Sequence, residues 1–248
     1  MSTSSQPVKD LIHQARKELL VNKDCKKAGS YIVSLLESEA VDEKENLLIK
    51  NTIGLIYLEK KEYQKAAEIY KEIDEKYQAG YCELLMGNEE DARKLWYSAP
   101  DSEPCEWGKS LLDFIHLKRA KRPTFLQIRN HLETDIGYFI QADKLKYAEN
   151  LIKNDDVFIS VNLEAYKLIG RTLLNHGFYN MARKYLLKSL QILPDESETL
   201  YFLGRYNYLI GAYGESKKVI EKCLENNPNY TPAKDLLTRI EMNLHKLW

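Results

Sequence analysis

Three arginines recur at an interval of 34 residues toward one end of this 248-residue chain: Arg171, Arg205 and Arg239. Residues spaced i, i+4, i+7 share one face of a helix. That spacing groups Lys167 and Leu174 with Arg171, Tyr201 and Tyr208 with Arg205, and Asp235 and Met242 with Arg239. The chemistry of such a wall is recognition. Guanidinium offers a rigid fork to a carboxylate or phosphate, and tyrosine adds amphipathic contact at low entropic cost. The expected ligand is an acidic peptide, a C-terminal carboxylate or a phosphorylated segment. Its candidate contacts are Lys167, Arg171, Tyr201, Arg205, Tyr208 and Arg239. A second reading stays open. Asp235 lies four residues before Arg239, and Glu198 shares a face with Arg205 and faces Arg171 across a repeat boundary, so the same cations can pair inside the chain. Duplication of a repeat also places arginines in register without any ligand.

Other chemistry finds little support. His13, His116, His131, His176 and His245 are isolated in sequence, and no Ser/His/Asp set, HExxH or phosphate loop is present. Catalysis needs convergent groups, so no enzyme is expected. Cys25, Cys82, Cys105 and Cys223 form no CxxC pair, which predicts reduced thiols, no metal and no cofactor. Thirty-six Lys and Arg balance 37 Asp and Glu, for a formal net charge of −1. That balance argues against coating nucleic acid through a global field. The basic run HLKRAKR (116–122) reads as a solvated helix end. The start, MSTSSQPVKD, lacks a signal-peptide core, and no apolar run approaches the ~18 residues of a membrane span. A soluble, cytoplasmic protein without membrane contact is the expectation.

The elements that position the arginines follow from the same 34-residue period. Gly170, Tyr179, Ala182 and Pro194 recur as Gly204, Tyr213, Ser216 and Pro228. An internal repeat of that length predicts stacked helical hairpins, with small residues where two helices approach closely and aromatics filling the space above. Gly54, Tyr57, Tyr63, Ala66 and Tyr70 give an earlier copy; Gly80, Ala92 and Trp96 keep its offsets, with a turn at Gly87–Asn88. The stretch 98–108 (SAPDSEPCEWG) reads as a loop from its two prolines and its glycine. Residues 109–119 read as helix, as do about 124–141, and 144–153 returns antiparallel to that last segment. Residues 231–248 form a final amphipathic helix that caps the open apolar face.

In these residues the chain resembles the tetratricopeptide repeat family. The family order of small residue, aromatic, alanine, large apolar residue, small residue and proline is met by Gly170, Tyr179, Ala182, Leu186, Ser189 and Pro194. It is met again by Gly204, Tyr213, Ser216, Ile220, Cys223 and Pro228. The resemblance implies an all-α solenoid of antiparallel hairpins, a right-handed superhelix whose first helices line a concave groove. It also implies non-catalytic binding of protein segments, as an adaptor, scaffold or co-chaperone. Some members hold a C-terminal carboxylate with lysine and asparagine; Lys167 matches one such place, and Arg171 replaces the asparagine. The expected division is a flexible 1–7, hairpins over 8–97, a divergent loop and connecting helix over 98–128, repeats over 129–230 and a cap over 231–248. Two rival functions remain: self-association through the cap and Trp248, and an enzyme-related role for the divergent centre, 99–160.

Overall fold

The structure, a computed structural model, describes residues 6–36 and 42–245, without the side chains of residues 6 and 7. Every regular element among the described residues is a helix. No helix among them is long and apolar enough to cross a membrane. The chain forms two units, residues Met1–Leu112 and Asp113–Trp248.

The first unit contains α1 (Gln6–Leu20), α2 (Cys25–Leu36), α3 (Glu43–Glu59), α4 (Tyr63–Glu72), α5 (Lys76–Met86), α6 (Glu89–Tyr97) and the start of α7 (Glu103–Ile115). Val8, Ile12, Ala15 and Leu19 give α1 one buried stripe at helical spacing. Asp42 and Glu45 cap α3 reciprocally: the Glu45 N–H donates to Asp42 Oδ1 at 2.7 Å, and the Asp42 N–H donates to Glu45 Oε2 at 3.2 Å.

The expected loop over 98–108 is shorter than its prolines suggested. Helix resumes at Glu103, with Pro104 in the first turn, where its missing N–H leaves nothing unsatisfied. Gly108 lies inside that helix because the Trp96 ring presses on it; a Cβ there would meet Trp96 at 2.5 Å. The helix expected to reach residue 119 stops at Ile115, where Leu117 turns left-handed (φ 54°) and the Lys118 N–H closes on the Asp113 carbonyl at 2.8 Å.

The second unit contains α8 (Phe125–Gln141), α9 (Leu145–Ile152), α10 (Asp155–Ile159), α11 (Ala165–Asn175), α12 (Tyr179–Ile192), α13 (Ser197–Leu209), α14 (Tyr213–Asn226) and α15 (Thr231–His245). The turns of its three hairpins share one backbone form. Asp143, Gly177 and Gly211 adopt positive φ at intervals of 34 residues. The next N–H in each case returns to the last helical turn: Lys144 to Phe139, Phe178 to Leu173 and Ala212 to Asn207, at 2.8, 2.9 and 2.9 Å. The short α10 is an addition that periodicity did not show. It is pinned where Lys188 bonds Asp155 at 2.7 Å beneath the rings of Tyr166 and Tyr185.

One contact recurs in four hairpins. A Cβ on Gly54 would meet Tyr70 at 2.8 Å, on Gly80 Trp96 at 2.5 Å, on Gly170 Leu186 at 2.9 Å and on Gly204 Ile220 at 2.5 Å. The wedge is always the residue sixteen places after the glycine, so the first helix must lack a Cβ for the second to close on it. Trp96 is further fixed by donating its indole N–H to the Tyr77 carbonyl at 3.1 Å. Gly80→Ala is expected to destabilise the chain in urea denaturation, because overpacking at about 1–3 kcal/mol exceeds the ~1 kcal/mol that alanine gains in helix propensity. Gly29→Ala in the same unit meets nothing within 4 Å and should stabilise by up to ~1 kcal/mol. Equal effects from the two substitutions would overturn the wedge.

Candidate functional site

The candidate residues lie on α11, α13 and α15, the first helices of the last two hairpins and the helix after them. Packing joins α8 to α11, α11 to α13 and α13 to α15, so each helix presents its charges to the next. Three arginines in one sequence register meet three different environments.

Arg171 is enclosed. Its Nε donates to Glu133 Oε1 at 2.7 Å and its Nη2 to Glu133 Oε2, a bidentate pair with α8. Its Nη1 reaches Glu198 Oε1 on α13 at 2.6 Å, and its guanidinium carbon lies 5.7 Å from the centre of the Phe202 ring. Lys167 is only 5% exposed. Its ammonium bonds Glu164 at 2.8 Å, Glu198 at 2.9 Å and Glu196 at 3.4 Å. Glu196 also caps α13, accepting from the Thr199 N–H at 2.6 Å. Two cations therefore sit among four carboxylates, so this stretch of the wall presents no surplus positive charge to a ligand.

Burial alone would lower the Lys167 and Arg171 pKa values, but their carboxylate partners outweigh it and raise both. Burial would likewise raise Glu198, yet Lys167 and Arg171 hold it below its ordinary value of 4.5.

Arg205 is half-buried and among the described residues has a single neutral partner, donating from Nη1 to Asn175 Oδ1 at 2.7 Å. Arg239 is exposed; its guanidinium makes no ion pair among the described residues, and Asp235 is not bonded to it. The two tyrosines are packed within the chain. Tyr201 meets the edge of Tyr230 with ring centres 5.5 Å apart, and Tyr208 lies 5.5 Å from Tyr213 and accepts from Asn243 Nδ2 at 3.1 Å. Trp248 and Leu247, the end of the expected cap, lie outside the described residues.

Glu133, Glu164, Glu196, Asn175 and Asn243 were missed as partners. A signal existed for Glu133, which stands 34 residues before Lys167 and so occupies the same column of the repeat. A separate concavity of about 230 Å³ opens beside α9 and α12, lined by Ile140, Leu145, Ile152, Leu173, Phe178 and Met181. Its lining is mostly apolar and suits an apolar side chain; the charged groups there, Lys146 and Glu149, pair with each other at 3.1 Å.

A family model for the tetratricopeptide repeat matches residues 49–75 and 197–230. Over those residues the chain carries tetratricopeptide repeats. Its repeats make it a protein–protein interaction module. No curated protein matches the sequence. Among solved structures, the chain is similar to one from the APC/C hetero-tetramer Cut9-Hcn1, with 14% identity and a TM-score of 0.40, covering 94% of this chain and 52% of that one. It is also similar to the P58(IPK) TPR domain, with 16% identity and a TM-score of 0.36, covering 97% of this chain and 66% of that one. The chain thus spans about half the length of the first of these and about two thirds of the second.

The charge network gives the fold a pH signature. Glu198 is lowered, so its contribution is full above 4.5 and is lost as pH falls through its folded value. Lys167 is raised, so its contribution is full below 10.5 and fails only in stronger alkali. Glu198→Gln should cost about 1–2 kcal/mol at neutral pH, after allowance for partial exposure, and should flatten the loss of stability in acid. Urea midpoints that fall in parallel for both proteins between pH 6 and about pH 3 would remove Glu198 from that role.

Proposed function

We propose that this module binds a carboxylate-bearing segment of a partner protein, an acidic stretch or a C-terminus, along α13 and α15. Arg205 and Arg239 receive the anions, and Tyr201 and Tyr208 form the apolar flank between them. Lys167 and Arg171 hold the wall in shape. The observation that carries this reading is the grading of the three arginines. Arg171 is saturated by two carboxylates, Arg205 has one neutral partner, and Arg239 is exposed and unpaired among the described residues. An incoming carboxylate replaces water or an amide at the last two positions, whereas at the first it would have to displace Glu133 and Glu198. Charge-assisted bidentate pairs of that kind are among the strongest single contacts available. A phosphorylated segment offers the same anion chemistry to the same two residues.

The test is affinity capture from native lysate with quantitative mass spectrometry, comparing the intact chain with an Arg205→Glu/Arg239→Glu double variant. Partners should fall by about tenfold or more in the double variant, the scale of losing one charge-assisted pair. Its melting temperature should remain close to that of the parent, because neither arginine holds an ion pair among the described residues. Full retention of every partner would remove the function from α13 and α15.

A further inference from the structure

Further positive charge without a described carboxylate partner lies at the entry to α8. Between Asp113 and Glu133 there is no acidic residue, while Lys118, Arg119, Lys121, Arg122 and Arg129 fall in that interval. All five are exposed. Arg122 donates to the Ser160 carbonyl at 3.0 Å, but no carboxylate pairs with Lys118, Arg119 or Arg129 among the described residues. Three large apolar side chains are exposed in the same segment: Leu117 at 52%, Phe125 at 46% and Leu126 at 60%. On α8, Arg129 lies one turn beyond Phe125 and Leu126 on a shared face, and Glu133 lies one turn further along it. Exposed cations interleaved with exposed leucine and phenylalanine are not needed to fold the helix, whose start is already fixed by the Thr124–Gln127 capping box.

We infer that Leu117–Arg129 is a second docking surface, separate from the Arg205–Arg239 wall, and that it takes a short acidic protein segment carrying large apolar side chains. Charge complementarity selects the acid. The apolar trio supplies contact area that a purely ionic site lacks, and clustered anchors of that kind dominate binding energy. The occupant is a peptide and not an anionic bilayer because the same face of α8 continues into Glu133, beside Glu198, Glu196 and Glu164 around Arg171 and Lys167. A flat anionic surface laid on Phe125 and Arg129 would meet those carboxylates, whereas a narrow peptide stops short of them. Nucleic acid is disfavoured by the same carboxylates and by the overall formal charge of −1.

The experiment is fluorescence anisotropy with the full chain and a fluorescein-labelled peptide of about twelve residues, alternating Glu or Asp with Leu or Phe, a length that spans an interface of this kind. Expected results are saturable binding that weakens as salt rises, and a loss of about tenfold or more with Arg129→Glu and with Phe125→Ser/Leu126→Ser. The Arg205→Glu/Arg239→Glu variant, which removes the other acid-binding wall, should still bind this peptide saturably, and adding Arg129→Glu in that background should abolish the remaining binding. Circular dichroism identifies any variant that fails to fold, and Arg119→Glu, on the loop and outside any helix, then takes its place with the same expected loss. Absence of binding at millimolar peptide overturns the inference, as does binding that ignores Arg129 and Arg119. Loss in the Arg205/Arg239 variant alone would move the peptide to the other wall and leave the proposed function standing. Tighter binding to phosphatidylserine vesicles or to a thymidine oligonucleotide than to the peptide would overturn the choice of occupant.

Discussion

The closure of a large side chain onto a bare glycine backbone, sixteen residues away in sequence, underlies the rest of this structure. At Gly54, Gly80, Gly170 and Gly204 the distance to the wedge leaves no room for a Cβ, so helix separation in each hairpin is set by that pair. Once the glycine direction is fixed, every other position on the first helix is fixed with it. At about 100° per residue, the positions three before, one after and four after the glycine fall within a ~60° arc on the glycine's own side of the helix. They flank the packed seam and do not oppose it. A wall placed there is half-buried by construction, and its side chains reach the neighbouring first helices before they reach water.

That placement governs the electrostatics. Removing an ammonium or a guanidinium from water is costly, so a cation so near the seam must be matched. Lys167 and Arg171, with α8 on one side and α13 on the other, are matched by four carboxylates. Arg205 has an amide. For Arg239 no further helix follows α15 among the described residues, and the same register position stands open to solvent. The gradient from enclosed to free charge therefore follows position within the stack, and the residue four before each arginine changes with it, from Lys167 to Tyr201 to Asp235.

Much of this was legible in the sequence, for a physical reason. The 34-residue recurrence of Gly170 and Gly204, and the sixteen-residue offsets to Leu186, Ile220, Tyr70 and Trp96, are backbone packing constraints that tolerate few residue types. The hairpins could be placed from them without further help. Composition served less well around residue 100. Pro104 and Gly108 look like breakers in isolation, but one occupies the first turn of a helix and the other receives the Trp96 ring. The short α10 has too few residues for a period. The site was legible only as a pair of alternatives, because ion pairing depends on which neighbouring helix contributes a carboxylate. Glu198 was close enough in sequence to be named as a partner for Arg171. Glu133, 38 residues before Arg171, becomes visible only once α8 is recognised as the preceding first helix of the same stack.

Repeat proteins separate geometry from affinity in just this way. Copying a 34-residue unit copies the direction of each side chain, since the glycine seam and the left-handed turns at Asp143, Gly177 and Gly211 recur with it. It does not copy the environment, because each unit is flanked by different neighbours and the last lacks one. A register of identical residues therefore gives little information about ligands until the pairing of each copy has been followed. Here that pairing removes the available positive charge from the first member of the arginine series. Charge without a described carboxylate partner remains on Arg205 and Arg239, and on the carboxylate-free segment that leads into α8. The positive charges that the fold leaves unmatched lie toward the end of the last repeats and, in sequence, between the earlier and later sets of repeats.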